Sequence, residues 1–186
     1  MFMLIIGLII FFGAHLQKRL IPAFRIRLME RTGEKGFKGI ITLMMAIGLC
    51  LIIRGYWVSD FIFLYNFGSW GLILNNITMI LAVAFLGLGH SKSRFRKHFR
   101  HPMLLSIILW SISHLLVNGD LKSVVLFLSF GIWAFAEIIL INRSTVHFQL
   151  FAGGSLKGDI RFFLIVSFIY FLISIIHLYL GVNPFY

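Results

Sequence analysis

Six apolar runs, separated by gaps that alternate between strongly basic and nearly uncharged, constrain this chain more than any other feature. The runs are Met1–Leu16, Gly39–Trp57, Trp70–His90, Met103–Val117, Leu121–Asn142 and Phe162–Val182. The first gap holds Lys18, Arg19, Arg25, Arg27, Arg31, Lys35 and Lys38. The third holds Lys92, Arg94, Arg96, Lys97 and Arg100, and the fifth holds Arg143, Lys157 and Arg161. Together these are 15 of the 17 Lys and Arg residues; the second and fourth gaps have only Arg54 and Lys122 at their edges. Basic side chains are retained on the cytoplasmic side of a bilayer, so gaps one, three and five are expected to face the cytoplasm. The pattern predicts an all-α, polytopic membrane bundle of six transmembrane helices. Its expected location is the bacterial inner membrane, with both termini on the outer, periplasmic face.

Composition agrees. Apolar residues make up 60% of the chain and charged residues only 12%, about half the usual soluble share. A spanning helix needs about 20 mostly apolar residues. Met1–Leu16 and Met103–Val117 are short, and would extend into flanking residues whose Lys and Arg heads snorkel to the interface. The charges of the first run follow its apolar stretch instead of preceding it, which favours a retained helix over a signal peptide. A net charge of +11 is accounted for by topology and by anionic lipid head groups, so no nucleic-acid partner is expected. Cys50 lies mid-span and has no second cysteine to pair with. Residues 1–186 read as one membrane domain, in which Gly48, Gly71, Gly87 and Gly131 would let helices approach closely.

The loops differ in character. Ile21, Phe24, Ile26, Leu28 and Met29 alternate with basic residues after Pro22, which suits a short interfacial helix, acting as a membrane anchor or docking a partner. Phe148–Lys157, with Gly153 and Gly154, reads as a flexible turn, too isolated in its glycines for a phosphate loop.

Chemistry at membrane depth belongs to ionisable residues, because burying them there is costly. His15, His114 and His177 fall within apolar runs, as does Glu137; His90, His98 and His101 gather at the basic third gap. Imidazole is a common ligand of haem iron, and a helical bundle core is a natural place for a cofactor. In the fourth run Met103, Ile107, Trp110, His114 and Asn118 share one helical face, either a pocket wall or a polar seam against a neighbouring helix. Arg94, Arg96, Lys97 and Arg100 are placed to meet anionic groups, lipid phosphates or haem propionates.

Three separated signatures carry a family resemblance. Phe11-Phe12-Gly13-Ala14-His15, His101-Pro102-Met103-Leu104, and Leu109-Trp110 through His114 to Asn118-Gly119-Asp120 resemble the NnrU family, most strongly over residues 1–143. The family is associated with nitrogen-oxide metabolism in denitrifying bacteria. Its plant relative, the 15-cis-zeta-carotene isomerase, is a membrane protein that uses haem b. The resemblance implies haem b here, with His15 and His114 as axial ligands, and a redox, nitrogen-oxide-related or isomerase role. A small hydrophobic molecule or a diatomic gas would be the small partner. The cofactor-binding residues expected are His15, His114, His101 as a reserve ligand, Trp110, Asn118 and Glu137. The isomerase carries a Cys three residues before its second histidine; Ser111 stands there in this chain, which removes a thiolate ligand.

Along straight helices His15 would lie about 9 Å and His114 about 18 Å above the inner face of the hydrocarbon core. Glu137 matches the depth of His15, and would either fix its tautomer or pair with a basic residue such as Arg143. Two other classes compete with a haem protein. A transporter or channel should line a path through both leaflets with polar groups, whereas Asn75, Asn76, Asn118 and His177 cluster toward the outer side. A membrane methyltransferase of the isoprenylcysteine type would share Arg100-His101-Pro102, but needs further cofactor-binding residues near the C-terminus.

Overall fold

A computed structural model describes residues 1–145 and 147–185. The described residues form six α-helices and no strand: α1 (Phe2–Leu20), α2 (Pro22–Val58), α3 (Gly68–Leu88), α4 (Pro102–Val117), α5 (Leu121–Ser144) and α6 (Leu156–Tyr179). Each covers one apolar run. Five of them are long and apolar enough to cross a bilayer. The exception, α4, has 16 residues and so is about 24 Å long, short of a ~30 Å hydrocarbon core. The expected count of six spans is therefore approximate. Outward-facing apolar side chains such as Leu43, Ile132 and Leu164, each at least 60% exposed, leave an apolar surface that suits lipid.

Pro22 and Pro102 each open a helix, where a missing N–H costs no hydrogen bond. In the basic first gap every residue but Ile21 falls within α1 or α2, and the short helix expected after Pro22 is present. Gly33, at φ 70° and ψ 169°, breaks α2 and sets Pro22–Thr32 apart as a short basic-apolar segment. That positive φ suits glycine and would strain any other residue. Between α3 and α4 a 3-10 turn spans Arg94–His98, opened by Ser93, whose Oγ accepts from the Phe95 amide.

Contacts divide the chain into two compact units, Met1–Phe63 with Asp120–Ser129, and Leu64–Gly119 with Phe130–Tyr186. In the first, α1 packs on α2 through glycines. A Cβ on Gly7 would lie 2.6 Å from the Ile52 amide nitrogen, and one on Gly48 would lie 2.9 Å from that of Phe11. Helices in lipid associate by such close backbone approach, since burying apolar surface gains little there. Gly48→Val should therefore force α1 off α2 at a cost of about 1–3 kcal/mol, read as a lower melting temperature in detergent. Gly13→Val, where a Cβ meets nothing within 4 Å, should melt like the parent chain. If both variants melt alike, the glycine contact is not what holds the pair.

The start of α5 is also fixed within the first unit. Asp120 accepts from the Ser123 amide at 3.1 Å and from its hydroxyl, and Tyr56 meets the same hydroxyl at 2.8 Å. Lys122 donates to the Ser59 carbonyl at 3.1 Å.

In the second unit α4 folds back along α3. Ser106 donates to the Ala82 carbonyl at 2.7 Å, Ser113 to Thr78 at 2.5 Å, and Tyr65 to the Leu115 carbonyl at 2.7 Å. A Cβ on Gly71 would lie 2.5 Å from the Leu116 carbonyl oxygen. Val83 and Leu88 of α3 bury against Phe162 and Val166 of α6.

Candidate functional site

The histidines in the apolar helices share one local geometry. His15 Nδ1 lies 2.8 Å from the Phe11 carbonyl, His114 Nδ1 2.9 Å from that of Trp110, and His177 Nδ1 2.8 Å from that of Ile173. A carbonyl only accepts, so in each ring Nδ1 carries the proton and Nε2 carries the lone pair of the neutral tautomer. An imidazole held in this way presents Nε2 to a metal, with the carbonyl fixing ring and tautomer from behind. For His15 the Phe11 carbonyl thus orients the ring from the backbone. Glu137 is buried, at 7% exposure.

The face of α4 is aromatic and polar, as its spacing predicts. The rings of Trp110 and His114 are 5.1 Å apart, and Phe130 of α5 meets Trp110 edge-on at 5.6 Å. Asn118 donates to the His114 carbonyl at 3.0 Å, so its amide serves the helix end. One turn before His114, Ser111 is buried at 2% exposure. Its hydroxyl has no hydrogen-bond partner among the described residues. It lies where Gly131 leaves room: a Cβ on that glycine would come within 3.2 Å of the Ser111 Cβ.

His101 is separate from this cluster. It lies thirteen residues before His114, about 20 Å along the helix. Its Nε2 donates to Asn142 Oδ1 at 2.8 Å, a partner that sequence spacing did not suggest. His101 lines a cavity of about 520 Å³ with Arg96, Arg100, Phe148 and Phe151. Arg96 stacks over Phe151 at 4.7 Å and Arg100 over Phe148 at 4.9 Å. Arg100 also donates to the Thr145 carbonyl at 2.6 Å. The segment read as a flexible turn thus supplies the aromatic wall of this basic cavity.

Arg94, expected to join that anion-binding group, is committed elsewhere. Its Nε donates to Asp159 Oδ2 at 2.6 Å and its amide to Oδ1 at 2.8 Å, while Ser93 Oγ donates to Oδ1 at 2.7 Å. Asp159 was missed by sequence reading; the signal was a single acid in a basic approach to the last helix.

The Asn118-Gly119-Asp120 signature has a structural role. A Cβ on Gly119 would collide with the Tyr65 carbonyl, and Asp120 caps α5 as described above.

Among the described residues no three His, Cys, Asp or Glu side chains converge as for a bare metal ion. Single helix-borne imidazoles suit haem instead, since the macrocycle brings four nitrogens of its own and asks the protein for one or two. His114, backed by a carbonyl and flanked by Trp110 and a buried unpartnered hydroxyl, fits that requirement.

Five helices long and apolar enough to cross a bilayer, joined by basic connections, mark a multi-pass membrane protein. The family model described as NnrU protein matches residues 3–184, and the chain belongs to the NnrU family. The match extends the sequence resemblance through α6. No curated protein and no solved structure matches.

Proposed function

We infer that this NnrU-family protein binds one haem b within the membrane, with His114 and His15 as axial ligands, and serves redox or nitrogen-oxide chemistry. The observation that carries the reading is the His114 geometry, in which donation from Nδ1 to the Trp110 carbonyl leaves Nε2 as the basic nitrogen. His15 shares that geometry through Phe11. The two histidines belong to different compact units, and their pairing on one iron is drawn from the family resemblance alone.

When bound, the haem would supply a one-electron couple and a site for a diatomic ligand. The chain's own part is to hold the imidazoles in one tautomer and keep the iron among apolar and aromatic side chains. Ser111 offers a hydroxyl, not a thiolate, where the plant isomerase has cysteine, which turns the reading from isomerisation toward redox or gas chemistry. Purification in mild detergent and an absorption spectrum test it. A Soret band with about one haem per chain is expected, and a protein expressed with ample haem that shows none would refute the reading.

The same reading puts the basic segments on the cytoplasmic face of a bacterial inner membrane and both termini outside. A periplasm-dependent reporter joined after Tyr186 should be active, and one joined after Lys97 inactive. The reverse pattern would overturn the orientation.

A further inference from the structure

A second cavity, of about 570 Å³, opens between the end of α3 and the start of α6. Its wall is apolar along α6, through Phe162, Ile165 and Ile169, and its mouth carries His90, Lys92, Lys157 and Arg161. We propose that this groove binds an anionic phospholipid of the surrounding membrane, with the phosphate held by Lys92, Lys157 and Arg161 and one acyl chain lying along α6.

Three observations support the assignment. The charges at the mouth are uncompensated: the nearest acid in sequence, Asp159, is engaged by Ser93 and Arg94. No carboxylate lies within ion-pair distance of Lys92, Lys157 or Arg161 among the described residues. The backbone segments that carry the cations are also fixed against each other, because the Ser155 amide donates to the Lys92 carbonyl at 3.2 Å and Gly158 leaves no room for a Cβ against that carbonyl. Ordering costs on binding are correspondingly reduced. Finally, the dimensions match a lipid. From Lys157 to Ile169 the wall runs about 18 Å, close to the ~20 Å that a head-group layer and one leaflet of hydrocarbon span together. A soluble anion would satisfy the mouth but leave the apolar wall unused. Basic pockets between membrane helices suit anionic head groups for the same reason.

The test uses the full chain in detergent, with lipid retention read by native mass spectrometry. Phosphatidylglycerol should bind, and phosphatidylcholine and free glycerol phosphate should not. The triple variant Lys92→Gln, Lys157→Gln, Arg161→Gln should lower affinity for phosphatidylglycerol by on the order of 100-fold. Removing equal charge by Arg27→Gln, Arg31→Gln, Lys35→Gln should leave it within about twofold of the parent. Ile165→Trp, which fills the apolar wall with no change of charge, should also weaken it. Equal losses from the two charge triples would mean general surface attraction and would overturn the site. Binding of glycerol phosphate as tight as that of the lipid would also overturn it, as would unaltered binding in Ile165→Trp.

Discussion

Replacing His114 with alanine should lower the haem-to-protein ratio of the purified chain roughly tenfold or more, the scale of losses seen when a metal's immediate support is removed. The imidazole is half-buried on α4, tautomer-locked by the Trp110 carbonyl and packed against the Trp110 ring. Alanine removes the imidazole and leaves a void beside the indole. His15→Ala should show a comparable loss, because its ring is locked in the same way by Phe11. His147→Ala, in an exposed connection, and His177→Ala, on α6, should keep the parent ratio. His177 makes the same carbonyl contact as the other two, so it is the stringent control. If His177→Ala loses haem and His114→Ala does not, the ligand assignment moves to α6.

Asp159→Ala should give the largest loss of stability among single substitutions outside the helix interiors. The carboxylate is 4% exposed and accepts from the Ser93 hydroxyl, the Arg94 amide and the Arg94 guanidinium. Ser93 itself is fully buried, so alanine would leave its hydroxyl without that acceptor, as well as the Arg94 amide. Because the Arg94 side chain is 57% exposed, most of the loss comes from the buried Ser93 hydroxyl and the part-buried Arg94 amide, and less from the ion pair. A melting temperature lower by more than about 5 °C in detergent is expected. Asp159→Asn, which keeps an acceptor oxygen, should fall between. A melting temperature for Asp159→Ala within a degree of the parent would show that the Ser93–Arg94 segment is held by packing instead.

The helices were legible in the sequence because the apolar runs, Pro22 and Pro102 act locally. The close approaches at Gly48, Gly71, Gly87 and Gly131 were legible too, since small residues in lipid-embedded helices have few other uses. The continuity of the short helix after Pro22 with the run from Gly39 was not, because nothing local in the basic stretch between them marks a join. Asp159 and Asn142 escaped notice for a different reason. Their partners lie 66 and 41 residues away, and nothing local in either side chain marks the pairing. Of the candidate site, the histidines stood out as ionisable groups in apolar runs. What spacing could not show was the backbone carbonyl behind each ring. Nor could it assign the two halves of Asn118-Gly119-Asp120, whose functions in the structure are a close approach and a helix cap.

The electron paramagnetic resonance spectrum of the purified ferric protein bears most directly on axial ligation by two imidazoles. Two neutral nitrogen ligands give a six-coordinate, low-spin iron, and because Ser111 cannot supply a thiolate, reduction should leave the same ligands in place. A low-spin ferric signal, lost or converted to high spin in both His15→Ala and His114→Ala, is the expected result. A high-spin spectrum in the parent chain, or a low-spin one unchanged in both variants, would contradict it.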